Sequence, residues 1–276
     1  MKNIFILLLL TSAFIGCDGA IESEYKEQIV VQGFIYPGEQ IDVSLHYTTP
    51  YGTAFSDKGS AVVGADVRVR VDGALYTLIP YSSLKGRYRL PVSSLVVEGG
   101  KEYELIITKD QHSLYARTRV PMPIAYTGIN DSLPKDRILP LDTNNASTFV
   151  YGVTAAPIDQ PWRLYMLQVT ALDTSVGKIN TSIAGPPVDT SAIVRYSFIQ
   201  TAPNFRIYSR LFGWFGPNRI TALALDSNWV DYKRAVAYGP VAFIPYQPSL
   251  NHIKGGIGVW ASAARDTVTV YVKRKG

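Results

Sequence analysis

Between Gln28 and Val120 the chain falls into short strand-like runs separated by turn residues, the clearest of them alternating apolar with polar side chains. Successive side chains of a strand point to opposite faces, so this period of two commits the backbone to half-buried strands and excludes a helical bundle. The run Gln40–Tyr47 sets Ile41, Val43, Leu45 and Tyr47 against Asp42, Ser44 and His46, and Ala65–Val71 sets three valines against Asp66, Arg68 and Arg70. Asp72-Gly73 then turns the chain into Ala74–Ile79 as a hairpin. With Gln28–Tyr36, Gly86–Leu90, Glu102–Thr108 and Ser113–Val120 these make seven predicted strands, the count and spacing of a β-sandwich of immunoglobulin-like or transthyretin-like type over residues 28–123. Pro121-Met122-Pro123 closes it, because two prolines so close cannot continue a central strand.

Past Pro123 the pattern loosens into a second β-rich domain, residues 124–276. The predicted strands are Thr148–Thr154, Arg163–Leu172, Ala192–Gln200, Gly256–Ala264 and Thr267–Lys273. Long loops fall at Thr174–Ser191 and Pro203–Asn218, and loops of that length tend to carry function. One short helix is expected: Asp226-Ser227 supplies an N-cap, Trp229, Val230, Lys233, Val236 and Ala237 follow at helical spacing, and Gly239-Pro240 stops it. With 47% apolar and 18% charged residues over 276 positions the chain can bury real cores. A single cysteine permits no internal disulfide, so packing carries the stability.

That cysteine sits at the end of an export signal. Lys2 precedes an apolar run, Ile4–Leu10, too short to span a bilayer, and small residues follow. Phe14-Ile15-Gly16-Cys17 resembles the lipobox of bacterial lipoproteins, with Phe14 where Leu is usual. The resemblance implies cleavage after residue 16 and a diacylglyceryl thioether on Cys17, with a further acyl chain on its amine, a lipid load that holds a protein on a membrane durably. The alternative is an ordinary leader with an incidental cysteine. Residues 17–27, polar and acidic with Glu22, Glu24 and Glu27, then form a tether. Removing the leader takes one of 27 basic residues against 22 acidic ones, a mild excess. The bases are scattered apart from Lys273-Arg274-Lys275, which gives a nucleic-acid groove no support.

The chemistry-bearing motifs are sparse. His46, His112 and His252 stand apart with no metal-ligand spacing, and His46 falls on the polar, solvent side of its strand. Ser82-x-x-Lys85 lies in a turn, and Gly255-Gly256-Ile257-Gly258 precedes a strand instead of opening a helix, so close backbone packing explains it better than phosphate binding. No catalytic residue, cofactor or metal is assigned; a paired-carboxylate hydrolase would need two of Asp173, Asp189, Asp226 and Asp231 to converge, and nothing in the sequence favours that. The segment Leu211-Phe212-Gly213-Trp214-Phe215-Gly216-Pro217-Asn218 is the candidate partner contact: Phe212, Trp214 and Phe215 either plug a core or anchor a partner. Trp162, Trp229 and Tyr232 fit either stacking on sugar rings or a helix-on-sheet core.

Several segments together resemble a group of Bacteroidetes-type outer-membrane lipoproteins known as the domain-of-unknown-function 4249 family, often encoded beside TonB-dependent receptors. They are Ile29–Ile35, Val63–Val67, Lys85–Tyr88, Gly99–Leu105, Val120–Pro123, Asn228–Ala235 and Asn251–Trp260. The resemblance is nearly full-length and implies an outer-membrane lipoprotein on the cell surface or the periplasmic face. It implies a non-catalytic binding or accessory component of a TonB-dependent transport system. An exported carbohydrate- or peptide-active hydrolase with a site in the C-terminal loops, and a purely structural envelope protein, are the competing expectations.

Overall fold

A computed structural model describes residues 25–129, 137–141, 149–156, 164–179, 193–197, 199–201, 204–238 and 252–275. The first eight strands follow the alternating runs closely: β1 (Ile29–Ile35), β2 (Ile41–Tyr47), β3 (Asp66–Val71), β4 (Ala74–Thr77), β5 (Ile79–Pro80), β6 (Arg87–Leu90), β7 (Glu102–Lys109) and β8 (His112–Arg119). The run after Asp72-Gly73 serves both layers of the sandwich. β4 pairs with β3 in one sheet and β5 pairs with β6 in the other, with buried Leu78 at the crossover. The layers β4-β3-β7-β8 and β1-β2-β6-β5 close over a core that includes Ile29, Val31, Val43, Leu45, Tyr88, Tyr103 and Leu105.

The remaining elements are β9 (Ala125–Ile129), β10 (Ile138–Leu141), β11 (Phe149–Ala156), β12 (Leu164–Ala171), β13 (Val194–Tyr196), β14 (Asn204–Tyr208), β15 (Gly216–Leu225), helix α1 (Ser227–Tyr238) and β16 (Ile257–Arg274). β16 is the spine of the molecule. Its first third runs parallel to β1, Val30 opposite Ile257 through Ile35 opposite Ser262, and its remainder runs antiparallel to β15. The sheet therefore continues from the first sandwich into the C-terminal half in the order β13-β12-β15-β16-β1-β2-β6-β5, with β10 pairing the end of β16. Two strands were expected where β16 is one. Arg265 and Asp266 stay in register opposite Leu223 and Ala222. Arg265 turns outward to Glu39, with its guanidinium 4.6 Å from the Tyr36 ring centre, so these charges mark an exposed face and not a turn.

In the C-terminal half both sheet faces are covered. Met166, Leu223, Leu225, Val259, Ala261 and Ala263 lie under Trp229 and Val230 of α1, while Leu167, Val169, Ile220, Ala222, Ala264 and Val268 fill a core on the opposite face. Trp260, next to Val259 and pointing the other way, enters the first core fully buried and donates its indole N–H to the Tyr103 carbonyl at 3.0 Å. Gly33, its register partner, leaves room for the rings: a Cβ there would lie 2.7 Å from Trp260 Cε3. Gly258 has φ +120° and a Cβ would fall 2.0 Å from the Val31 carbonyl oxygen, so the glycine run before β16 serves close backbone packing, as expected. The helix begins where Asp226 caps it, its Oδ1 accepting the Trp229 N–H at 2.9 Å.

Candidate functional site

The segment expected as a long loop, Pro203–Asn218, is largely structured: β14, one turn of 3₁₀ helix at Ser209–Leu211, and the start of β15. Arg195 on β13 holds the turn by donating from Nη1 to the carbonyls of Arg210 (2.8 Å) and Phe212 (3.1 Å). Buried Asn218 holds the next stretch through its amide, 3.0 Å from the carbonyls of Trp214 and Gly216. The loop after β12 zips onto the same segment: Phe215 N–H donates to Gly177 and Ile179 N–H to Gly213, both at 2.9 Å.

Against the far end of β16 this arrangement leaves an open groove of about 360 Å³ lined by Val176, Gly177, Lys178, Phe215, Tyr271, Val272, Lys273 and Arg274. Three cations and two aromatic rings line it, and no carboxylate does. Lys178, Lys273 and Arg274 are exposed, and Arg274 reaches toward the Phe215 ring, 5.8 Å from its centre. Its volume is at the small end for ligand sites. Chemically it can take an anion with a flat or apolar body: the cations supply charge and hydrogen-bond donors, and the rings supply contact area.

Of the three aromatics expected to meet a partner, Phe212 is fully buried in the second core and offers no surface. Trp214 and Phe215 are half-buried, and Phe215 lines the groove while packing on that core. Cys17 and Trp162 lie outside the described residues. Trp229 and Tyr232 pack on Phe34, with ring centres 4.5 and 5.6 Å away, as a helix-on-sheet core. The sequence pointed to the aromatic stretch but not to its meeting with the groove's cations. Lys178 lies far away in the chain, and only the Lys273-Arg274-Lys275 cluster was a visible signal.

The carboxylates are otherwise engaged. Asp226 sits where β8, β16 and α1 meet and accepts the Thr118 hydroxyl, which also touches Ser262 Oγ at 2.8 Å. Burial pushes its pKa up to about 6, opposed by hydrogen bonds from Thr118 and from the Trp229 and Ser262 backbone and by the nearby His252. Asp231 Oδ2 lies 2.9 Å from His252 Nε2. Asp173 accepts the Ser175 N–H at 2.8 Å, and its hydrogen bonds with Ser175 hold its carboxyl below the ordinary value. Asp189 lies outside the described residues. His46, expected to face solvent, is half-buried beneath the loop after β2, with Ser44 Oγ 2.9 Å from Nε2 and the Phe55 ring 5.8 Å away. No group of three or more metal-ligating side chains occurs among the described residues, and no helix among them is long and apolar enough to cross a membrane.

One family model matches the chain from the tether through helix α1, stopping short of the spine strand. The chain belongs to the family described as Domain of unknown function (DUF4249), whose model matches residues 19–237. No curated protein matches it. Among solved structures it is similar to a bacterial ice-binding adhesin described in connection with host cell surface retention, at 10% identity and TM-score 0.23, covering 90% of this chain and 65% of that one. It is similar also to a mutant Salmonella α2-macroglobulin (13% identity, TM-score 0.23, 91% and 15%) and to trypsin-activated α2-macroglobulin from Escherichia coli (14% identity, TM-score 0.22, 90% and 16%). The chain thus spans less than two thirds of each of these proteins.

Proposed function

We infer that this protein is a cell-envelope lipoprotein of the outer membrane of a Bacteroidetes-type bacterium, held there through Cys17. In this reading it is a non-catalytic binding or accessory component of a TonB-dependent receptor system. What supports the binding role is one placement. The tether enters beside the first residues of β16, whereas the cationic aromatic groove lies at its last ones, from Tyr271 on. That separation is about 45 Å of strand at roughly 3.3 Å per residue, so an anchored molecule can hold its groove away from the bilayer for an anionic ligand or an acidic partner segment.

Affinity capture from detergent-solubilised outer membrane tests this. The wild-type chain should recover a TonB-dependent receptor, and Lys273→Glu/Arg274→Glu should lose most of it. Recovery of no receptor by abundant wild-type protein would remove the accessory role. Equal recovery by the charge-reversed variant would remove the groove from it.

A further inference from the structure

We propose that the end of the sandwich from which the tether emerges is itself a membrane-docking face, with exposed tyrosine, phenylalanine and aliphatic tips that enter the lipid interface. The strand registers place several loops at one end. Ile29 opens β1 opposite Tyr47, the last residue of β2, and Ile257 opens β16 beside Val30. The loop 48–65 leaves from there and returns to β3, the β5–β6 loop sits there through the Leu45 N–H bond to the Gly86 carbonyl, and Lys254 meets Tyr115 of β8 beside it. The tether joins the same end, where the Tyr25 hydroxyl donates to the Thr48 carbonyl and the Gln28 N–H to Thr48 Oγ1 at 3.0 Å.

Five large apolar side chains stand exposed on these segments: Tyr25, Tyr51, Phe55, Val63 and Leu84, with Tyr51 at 107% relative exposure. They are held, not frayed. Tyr51 occupies the second position of a β-turn closed by the Thr53 N–H to the Pro50 carbonyl at 3.1 Å, with Gly52 at φ +82° in the third, so the ring is carried at the turn's tip. Phe55 rests on the His46 ring, and the following turn is closed by the Ser60 N–H to the Ser56 carbonyl at 2.9 Å. Exposed Lys58, Lys85 and Lys254 flank the tips against exposed Glu27 and Asp57. Rigid apolar tips with a polar end or a lysine beside them are the composition that settles at the boundary between head groups and acyl chains.

The chain that precedes this end points to a lipid surface as what the tips meet. A lipid on Cys17 would lie only eight residues before Tyr25, within about 28 Å even when fully extended, so the tips and the bilayer share one small volume. The proposal rests on the lipid-anchor reading for its geometry, but the tips can be tested without it.

In the acylated full-length chain reconstituted in vesicles of phosphatidylcholine with a minority of phosphatidylglycerol, a nitroxide at Tyr51→Cys should collide with oxygen in preference to a water-soluble nickel chelate. A nitroxide at Tyr271→Cys in the groove should do the reverse. In parallel, the unacylated Cys17→Ser chain should partition onto the same vesicles, and Tyr51→Ser/Phe55→Ser, which alters only exposed side chains, should weaken that partitioning about tenfold. Tyr271→Ser should not. A label at 51 as chelate-accessible as one at 271 in a stably inserted protein overturns the docking face while leaving the anchor standing. Failure of acylation with tip-dependent partitioning intact overturns the anchor alone. Absence of partitioning, or partitioning indifferent to the tips, overturns the proposal. So does a label at 51 that is exposed in lipid vesicles but shielded in native membranes, because that result assigns the face to a protein partner.

Discussion

If β16 is one continuous spine that completes the first sandwich, Trp260 and Gly33 are energetically coupled across the β1–β16 pair. Trp260→Leu removes most of two fully buried rings and the indole donor to the Tyr103 carbonyl. Truncating a buried aromatic to Ala costs about 3–5 kcal/mol, of which Leu recovers part, and leaving a buried carbonyl without its donor adds about 1–3, so the expected loss is about 4 kcal/mol. Gly33→Ala faces a different penalty. The backbone at Gly33 is ordinary strand, so the cost is the methyl's collision with Trp260, its Cβ meeting Cε3 at 2.7 Å and Cζ3 at 2.9 Å, an overpacking of about 1–3 kcal/mol. In the double variant the methyl enters space that the rings have left. The double variant should therefore lose less than the sum of the two single losses, with a coupling of about 1–2 kcal/mol. Urea unfolding of the four proteins, with a common m-value, measures it. Additivity within about 0.5 kcal/mol would refute the contact, and with it the claim that residues 257–262 belong to the first core.

Asp226 gives a pH prediction. Its folded pKa, about 6, lies above the ordinary 3.8, so the native state binds a proton in that interval that the unfolded chain does not. The stability from this group is fully present below pH 3.8 and is lost as pH rises through 6, a fall of about 3 kcal/mol that Asp226→Asn, which keeps a helix cap, should largely abolish in denaturant titrations at several pH values. Parallel pH profiles for the two proteins would contradict it. Lys178→Ala/Lys273→Ala should leave the melting temperature within a degree or two, since both side chains are exposed, but should weaken retention of anionic ligands on an affinity matrix. Cys17→Ser should move the protein from the membrane fraction to the soluble one in cell fractionation, apart from the residual partitioning assigned to the exposed tips.

The N-terminal sandwich was legible because its strands are buried on one face and so alternate cleanly, as Ile41, Val43 and Leu45 do in β2. β15 was missed for the opposite reason. Ile220–Leu225 is buried on both faces between a core and α1, so Thr221-Ala222-Leu223-Ala224-Leu225 carries no period of two, and Gly216-Pro217-Asn218 before it reads as a turn. β9 and β10 escaped because they are short strands without a clear alternating run, and β14, which does alternate Phe205 and Ile207 against Asn204 and Arg206, because the Pro, Gly and Asn residues around it made the whole stretch read as a loop. The helix was found through its cap and stop signals, which are local, and Asp226 acts as the cap. The groove was half legible: aromatic composition flagged residues 211–218, but burial of Phe212 and convergence with Lys178 and the end of β16 are tertiary facts.

The claim on which the functional account turns is the lipid at Cys17, and intact mass of the amino-terminal peptide from native membranes tests it most directly. The account predicts a chain that begins at Cys17 and carries a diacylglyceryl thioether, together with an acylated amine. A retained leader, or a Cys17 with a free thiol, would contradict it.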